Sequence, residues 1–378
     1  MAKKPKQVPD QELSPEADRL EGFPHPREMM DLFGHSDQLK QIMQAWGSGR
    51  MHHAWMLSGP SGIGKATFAY HMARIILSYD MRDGGKPPLD VPSEDSNVSR
   101  QISALSHPNL LLIRRNWSIK DKKFPTAITV DEVRKLRNFV GMTAQAGSWR
   151  VVIVDRADEM NKNAANALLK SLEEPPVNCV FFLITEASGK MPPTIRSRCR
   201  KLDFNVLNER DLRLAVQNAR QKAELDEIDP VQLKTLSQIS QGSVRQTLEL
   251  MQGKGFENYE TLIKLFKTLP KMDYAQVHTL ADKLSTAAAL PDFEIFCTLF
   301  SDLLRRLIRI GAGSGEAPEA EIHLALKHMR EDTLANWAEL WETLSKAKRE
   351  TLALNLDRKN FLLEAFHKLE KTSRMSPG

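Results

Sequence analysis

A glycine-rich stretch over residues 58–67 combines residue types that bind phosphate. It reads Ser-Gly-Pro-Ser-Gly-Ile-Gly-Lys-Ala-Thr and follows the apolar run Ala54–Ser58. Backbone N–H groups of such a loop surround phosphate oxygens, and the positive end of the following helix adds to the attraction. We therefore predict a phosphate-binding loop, with nucleotide contacts from four of its residues: Gly59, Gly62, Gly64 and Lys65.

The position after the lysine departs from the pattern that binds magnesium. The pattern G-x-x-x-x-G-K-[ST] ends in a hydroxyl that ligates the ion, and Ala66 stands there instead. Thr67 carries a hydroxyl one position later, which reaches that place only if the helix register shifts. Both residues are included in the predicted nucleotide site, and we assign no metal ligand.

A second element of the site follows another buried strand. The run Val151–Val154 is apolar throughout and precedes Asp155, at the position where P-loop folds hold magnesium through a carboxylate. The next residue is Arg156, where an ATPase of this type has a glutamate that polarises water. Because a cation cannot act as the base, the sequence indicates nucleotide binding without hydrolysis.

The elements that must position these residues alternate along the first two hundred positions. Short apolar runs predict strands, and amphipathic segments between them predict helices; the runs are Ala54–Ser58, Leu110–Arg114, Val151–Val154 and Val180–Ile184. Such alternation is typical of a parallel sheet flanked by helices, which binds ligands at the carboxyl ends of its strands. We predict an α/β P-loop domain over residues 24–207, with a surface insertion at 80–100.

The remainder of the chain has a different pattern. Residues 1–23 are polar and charged, and we expect them to be a disordered tail. From residue 209 the strand signals stop, and helical patterns predict one small helical domain over 208–268 and a second all-α domain over 269–378.

Composition narrows the classes of partner and compartment. Lys and Arg total 53 against 48 Asp and Glu, and this net charge of +5 permits a nucleic-acid partner without requiring one. The three cysteines have no metal-ligand spacing, so we expect no zinc site and a reducing compartment. We find no apolar run long enough to cross a bilayer and no secretory signal, and therefore expect a cytoplasmic protein without a membrane partner.

Two longer stretches resemble a known family. The run Asn161–Pro176 and the segment Thr194–Arg200, which contains Ser-Arg-Cys at 197–199, are similar to clamp-loader subunits of bacterial DNA polymerase III, specifically to the delta-prime type. The likeness extends from about Phe23 to Phe366 and leaves out residues 80–100.

The resemblance implies an AAA+ module followed by a helical collar through which five subunits form a ring. It identifies residues 208–268 as the lid and 269–378 as the collar for oligomerisation. The partners it implies are the delta and gamma or tau subunits, together with the sliding clamp and primer-template DNA within the complex.

The resemblance also assigns roles to three residues. In the family, an arginine at the position of Arg198 reaches the ATP of a neighbouring subunit, and a guanidinium suits that role because it donates to two phosphate oxygens. Thr185 and Arg245 match nucleotide-sensing positions. For Thr185, a strand-end hydroxyl that satisfies the backbone is a nearly equal alternative.

The resemblance implies a replication subunit that forms a rigid wall of the ring, and Ala66 and Arg156 indicate that it does not itself hydrolyse ATP. The loop allows ATP or ADP to bind without turnover, but no cofactor is established, and residues 80–100 lack the cysteines of a zinc module. One alternative is a gamma/tau-like ATPase motor, which needs a hydroxyl and an acid at positions 66 and 156. Another is a stand-alone nucleic-acid-binding protein on a relict P-loop fold, against which the weak net charge argues.

Overall fold

The computed structural model describes residues 15–80, 86–141, 148–252, 254–314 and 317–375. The chain forms two compact units, Met1–Glu227 and Ile228–Gly378. Among the residues described, none of the helices has the length and apolar character needed to cross a membrane.

The first unit is built on a parallel sheet of five strands. They are β1 (Ala54–Ser58), β2 (Leu110–Ile113), β3 (Arg150–Val154), β4 (Cys179–Thr185) and β5 (Arg200–Asp203). Their order is β2-β3-β4-β1-β5, and all four pairings are parallel. Every residue of β1, β3 and β4 is buried, which explains their largely apolar sequences. The predicted parallel sheet of an α/β fold is confirmed.

Helices cover both faces of this sheet. They are α1 (Ser36–Gly47), α2 (Lys65–Leu77), α3 (Asn97–Ser103), α4 (Val130–Gly141), α5 (Lys162–Glu173), α6 (Pro193–Arg196) and α7 (Glu209–Lys222). Successive strand residues alternate between the faces: Trp55 and Leu57 join the core that contains α1 and α2, and Ala54 and Met56 join the core that contains α4 and α5.

The predicted surface insertion is partly wrong. Residues 81–85 lie outside the described part of the chain, but the end of the insertion forms the first turn of α3. Ser96 caps this helix by accepting a hydrogen bond from the N–H of Ser99 at 3.1 Å, and Ile102 is fully buried. The polar composition of residues 80–100 did not indicate this helix start, because serine is common both at helix N-caps and in loops.

The predicted disordered tail is also wrong where it can be judged. Residues 1–14 lie outside the described part of the chain, whereas residues 15–23 are ordered. Glu16 accepts hydrogen bonds from both terminal nitrogens of Arg27, at 2.8 and 3.0 Å, and from Arg19 at 2.7 Å. Phe23 is buried. In the sequence, acidic residues such as Glu16 suggest a solvated tail, but in the folded domain Glu16 pairs with arginines.

The sequence predicts α7 as the first helix of the lid domain, but in the structure it belongs to the first unit. Its contacts explain the grouping: Asn218 Nδ2 donates to Asp31 Oδ2 at 2.9 Å, and Lys222 Nζ donates to the carbonyl oxygen of Glu28 at 3.2 Å and pairs with Glu94 at 2.6 Å. These polar contacts join α7 to residues of the first unit that are distant in sequence.

In the second unit, all the regular elements of the described residues are helices. It contains α8 (Pro230–Ile239), α9 (Val244–Met251), α10 (Gly255–Lys267), α11 (Tyr274–Ser285), α12 (Leu290–Gly311), α13 (Glu319–His328), α14 (Leu334–Ala353) and α15 (Arg358–Arg374). One hydrophobic core includes residues from the predicted lid and the predicted collar, among them Leu236, Phe266, Phe300 and Phe366. The division into lid and collar stays a prediction.

A buried ion pair connects four helices of this unit. Arg306 and Glu321 are 2% and 0% exposed, and their side chains form two contacts, Nε to Oε2 at 2.8 Å and Nη2 to Oε1 at 2.9 Å. Tyr259 donates to the same carboxylate at 3.0 Å, and Arg306 Nη1 donates to the carbonyl oxygen of Ile239 at 3.2 Å. With these partners, the desolvated charges are compensated.

We predict that Glu16→Gln destabilises the first unit by about 1–3 kcal/mol at pH 7, between the values for exposed and buried ion pairs. Burial raises the pKa of Glu16, but hydrogen bonds from Arg27, Arg114 and Arg19 outweigh it and lower the pKa to about 2. This stabilisation is therefore present above the unfolded pKa and is lost as the pH falls toward 2.

The measurement is urea unfolding of the wild type and the variant from pH 7 to the lowest pH at which the chain is folded. The difference between their free energies of unfolding should shrink below about pH 4.5. Asp37→Asn is the control, since that side chain is 90% exposed. A difference that stays constant with pH would contradict this account of Glu16.

We predict that Arg306→Met lowers the free energy of unfolding of the second unit by about 3–5 kcal/mol, because it leaves the Glu321 carboxylate buried without its cation. Chemical denaturation followed by circular dichroism measures the change. Arg305→Met is the matched control, since Arg305 is the neighbouring arginine and its side chain is 49% exposed. Equal effects of the two replacements would refute the buried-pair explanation.

Candidate nucleotide-binding site

The sheet brings most of the predicted site residues to one edge. The glycine-rich loop follows β1, Thr185 ends β4 and Asp155 follows β3. Since β1 neighbours β4 and β4 neighbours β3, their carboxyl ends are adjacent. The N–H of Gly59 donates to the carbonyl oxygen of Thr185 at 3.3 Å, which joins the loop directly to β4.

The glycines of the loop are required by its backbone. Gly62 and Gly64 have φ values of 72° and 102°, in a region that side chains with a Cβ rarely adopt. At Gly59 the reason is space, because a Cβ would lie 2.3 Å from the carbonyl oxygen of Phe204. Gly64 immediately precedes α2, so the loop delivers Lys65 to the first position of that helix.

Lys65 is held inside the loop that it follows. Its side chain donates to the carbonyl oxygen of Gly59 at 2.6 Å and to that of Pro60, and the residue is 5% exposed. Burial lowers the pKa of Lys65 to about 8, opposed by the nearby carboxyls of Glu186, Asp155 and Asp158. The ammonium group is therefore enclosed by the loop, and its contact with a phosphate stays a prediction.

The two residues after Lys65 provide no ligand in the usual place. Ala66 is partly buried and packs against the hydrophobic core beneath α2. Thr67 is half-buried in the regular first turn of the same helix, so the register shift that would advance its hydroxyl does not occur.

Asp155 lies at the end of β3 but is engaged by the chain itself. It is 9% exposed, and its carboxyl forms a hydrogen bond with Asp18 from the segment before α1. Burial and the negative charge of Asp18 raise the pKa of Asp155 to about 7. The pKa of Asp18 is lowered, because hydrogen bonding to His25 and the charge of Arg114 outweigh its burial. Of the two carboxyls, Asp155 therefore has the higher pKa.

The residues present do not fit the magnesium site that P-loop folds commonly contain. Ala66 offers no oxygen, and the carboxyl of Asp155 is hydrogen-bonded to Asp18. Within the part of the chain that the structure describes, no group of three His, Cys, Asp or Glu residues could hold a metal ion.

Arg156 occupies the position of the expected catalytic acid. Its guanidinium pairs with Glu159 at 2.9 Å and lies 3.8 Å from Glu186, the residue after β4. Glu159 also forms an ion pair with Arg115, whose Nε lies 2.6 Å from Glu159 Oε2. Because both glutamates are paired with arginines, the arrangement provides a cation near the loop and leaves neither carboxylate unpaired as a base.

The two predicted sensing residues have different surroundings. Thr185 is fully buried, and its hydroxyl oxygen accepts a hydrogen bond from the N–H of Ala187 at 3.2 Å, as expected for a strand-end hydroxyl that satisfies backbone. Arg245 belongs to α9 in the second unit, where its Nε donates to Glu249 at 2.7 Å. The sensing roles of both residues stay predictions.

Arg198 lies away from the loop of its own chain. It precedes β5, whose first residue, Arg200, is in register with Trp55 near the start of β1. The phosphate loop follows the other end of β1, roughly 10 Å away at about 3.3 Å per strand residue. The Arg198 side chain is 34% exposed and contacts Glu173 Oε1 at 2.8 Å and the carbonyl oxygen of Thr194 at 2.8 Å.

Sequence reasoning missed two groups of residues. Asp18, His25 and Arg114 surround Asp155, but nothing in the local sequence connects a tail acid with a strand more than one hundred residues later. Glu173, which pairs with Arg198, lies in the run Asn161–Pro176, and no local sequence pattern connects it with the segment Thr194–Arg200.

The part of the chain that contains this site is similar to subunits of bacterial DNA polymerase III. Residues 34–208 match the family model described as DNA polymerase III, delta subunit. The delta-prime subunit of Pseudomonas aeruginosa is 38% identical over 41% of this chain and 44% of its own length. That of Escherichia coli is 27% identical over 71% of this chain and 74% of its own. The gamma subunit of Buchnera aphidicola is 29% identical over 60% of this chain and 58% of its own.

The chain is therefore similar to DNA polymerase III delta-prime, gamma and tau subunits. It spans about half the length of the first curated relatives that it matches, at 58%, 44% and 37%. Among solved structures, a gamma-subunit-related protein from Thermotoga maritima aligns with 89% of this chain and 99% of its own at 17% identity, with a TM-score of 0.39. The family match covers the loop, Asp155 and Arg198 and ends before the second unit.

We predict that Gly59→Ala destabilises the first unit by about 2 kcal/mol or more, because its Cβ would collide with backbone rather than with a flexible side chain. Thermal unfolding measures the change. Gly189→Ala is the matched control, since its Cβ would meet nothing within 4 Å. If the two replacements have the same small effect, the loop is not confined by Phe204.

Proposed function

We propose that this chain is a delta-prime-type subunit of a DNA polymerase III clamp loader. In this role it forms a comparatively rigid wall of the subunit ring, and it supplies Arg198 to the ATP site of a neighbouring subunit. The proposal rests on the family match and on one geometric observation, the separation of Arg198 from the phosphate loop of its own chain.

The position of Arg198 supports action on another subunit. Its side chain stands near the amino ends of the strands, whereas the loop of the same chain stands at their carboxyl ends. A guanidinium that is 34% exposed is available to a partner surface. Arginine suits this role because its planar, permanently charged group donates to two phosphate oxygens as charge builds in the transition state.

The phosphate loop supports a chain that does not hydrolyse ATP. The loop retains its glycines and Lys65, but Ala66 and Arg156 replace the hydroxyl ligand and the acid that hydrolysis requires. ATP or ADP is the proposed ligand of the loop, bound without turnover through Gly59, Gly62, Gly64 and Lys65. We propose no zinc for this chain.

The remaining partners follow from the family and belong to the same proposal. They are the delta subunit and the gamma or tau subunits of a cytoplasmic complex, with the sliding clamp and primer-template DNA bound within it. The names of the relatives support the DNA polymerase III assembly.

A second candidate is a gamma/tau-like ATPase motor of the same fold. The match to a gamma subunit at 29% identity and the retention of Lys65 favour it. Steady-state ATP turnover by the purified chain separates the two candidates. Turnover at the level of a competent ATPase, on the order of 1 s⁻¹ or faster, supports the motor and overturns the proposed wall subunit.

We predict that Arg198→Ala lowers ATP turnover by the reconstituted complex by roughly tenfold or more, because one neighbouring site loses its arginine in the transition state. Complex assembly, checked by gel filtration, should be unchanged. Arg196→Ala is the matched control, since Arg196 is exposed and two residues away. Normal turnover by a fully assembled Arg198→Ala complex contradicts the trans role.

A further inference from the structure

His35, the residue immediately before α1, contacts the phosphate loop. Its Nε2 lies 2.7 Å from the carbonyl oxygen of Ile63, the loop residue two positions before Lys65. A carbonyl oxygen only accepts hydrogen bonds, so Nε2 carries a proton and donates it. Burial lowers the pKa of His35, opposed by this hydrogen bond and by the carboxyl of Asp211. The ring is therefore neutral at pH 7, with its one proton on Nε2.

The backbone at His35 has a conformation that residues with a Cβ rarely adopt. Its φ and ψ are 57° and 27°, in the left-handed region, and Gly34 before it has a φ of 70°. For a residue other than glycine this conformation is strained. An N-cap side chain commonly accepts a hydrogen bond from the helix that it precedes, but His35 makes no such bond to the described residues of α1. Its side chain is directed to the loop instead.

Two further contacts hold the start of α1 against the end of β5, beside the loop. Gln38 Nε2 donates to the carbonyl oxygen of Asp203 at 2.6 Å. The His35 ring packs edge-on against the ring of Phe204, with the ring centroids 4.8 Å apart. Phe204 is buried, and its carbonyl oxygen is the group that leaves no space for a Cβ at Gly59. The cluster that positions His35 therefore also confines the first glycine of the loop.

The hydrogen bond from His35 fixes the direction of one N–H group of the loop. The C=O of Ile63 and the N–H of Gly64 belong to one planar trans peptide, in which these two bonds point in opposite directions. Since the C=O is directed at His35, the N–H of Gly64 points away from it. The carbonyl oxygen of Gly64 accepts from Phe68 at 2.9 Å, the first internal hydrogen bond of α2. The Gly64 N–H precedes that bond, among the groups that a helix start offers to an anion.

We propose that His35 is a positioning residue for the phosphate loop: it holds the peptide between Ile63 and Gly64 so that the Gly64 N–H donates to a phosphate oxygen of a nucleoside di- or triphosphate. The imidazole acts through this peptide and does not touch the ligand. An N–H that is already oriented costs less conformational entropy when the ligand binds. The inference rests on the phosphate loop of the proposed function and is independent of Arg198.

The first test compares ADP affinity of two His35 variants by isothermal titration calorimetry. His35→Gln and His35→Asn both remove the ring from Phe204, but only glutamine has a donor at about the reach of Nε2. We expect His35→Gln to bind within about threefold of the wild type and His35→Asn to bind about tenfold more weakly. Asparagine tolerates a left-handed backbone well, so its loss would not come from backbone strain.

His278→Asn is the control, since His278 is an exposed histidine of the second unit. Circular dichroism on heating verifies that each variant is folded. The inference is overturned if His35→Asn binds ADP as tightly as the wild type, or if His35→Gln loses as much affinity as His35→Asn.

Nuclear magnetic resonance observes the peptide itself and needs no His35 variant. Isoleucine labelled with ¹³C at the carbonyl and glycine labelled with ¹⁵N give a joint signal only where glycine follows isoleucine, at Ile63–Gly64 and Ile310–Gly311. Ile310→Val removes the second signal and so assigns both. ADP should shift the Gly64 amide signal and leave that of Gly311, in α12 of the second unit, in place.

The outcomes separate this inference from the proposed function. If ADP binds to the wild type and the Gly64 signal does not move, the role of His35 is refuted while nucleotide binding stands. If the wild type gives neither heat nor a shift with ADP, both the inference and the proposed nucleotide ligand are wrong. Neither result affects the proposed role of Arg198, which ATP turnover by the reconstituted complex tests.

Discussion

The structure depends on how two buried ionisable groups are neutralised at the carboxyl edge of the sheet. Lys65 is 5% exposed and Asp155 is 9% exposed, and an isolated charge at such depth is strongly unfavourable. Both groups have hydrogen-bond partners within the chain. Lys65 donates to carbonyl oxygens of the loop, and the carboxyl of Asp155 hydrogen-bonds to Asp18. The ordered segment before α1 and the glycine-rich turn are therefore parts of one electrostatic arrangement.

This internal neutralisation explains why the loop is retained while its catalytic parts are absent. Gly59 is confined by Phe204 and Lys65 is held by the loop itself, so replacing either group disturbs the fold as well as ligand binding. At positions 66 and 156, in contrast, a hydroxyl and an acid are needed for hydrolysis rather than for the fold. The function that we propose lies instead near the opposite ends of the strands, at Arg198.

The sequence predicted most of the fold because strands buried on both faces produce continuous apolar runs, as in β3 and β4. It also predicted the loop, since Gly62 and Gly64 are required by local backbone geometry. Residues 15–23 were wrongly expected to be disordered, because Glu16 and Asp18 are stabilised by Arg27 and Arg114, contacts that no local pattern encodes. Helix α7 was assigned to the wrong unit for the same reason.

The central claim is that this chain contributes chemistry to a partner rather than to its own loop. Cryo-electron microscopy of the reconstituted complex with a non-hydrolysable ATP analogue tests it most directly. The account predicts that Arg198 leaves Glu173 and that its guanidinium lies within about 3 Å of a phosphate oxygen on the neighbouring subunit. An Arg198 that still contacts Glu173, with no nucleotide phosphate within hydrogen-bond distance in the assembled ring, would contradict it.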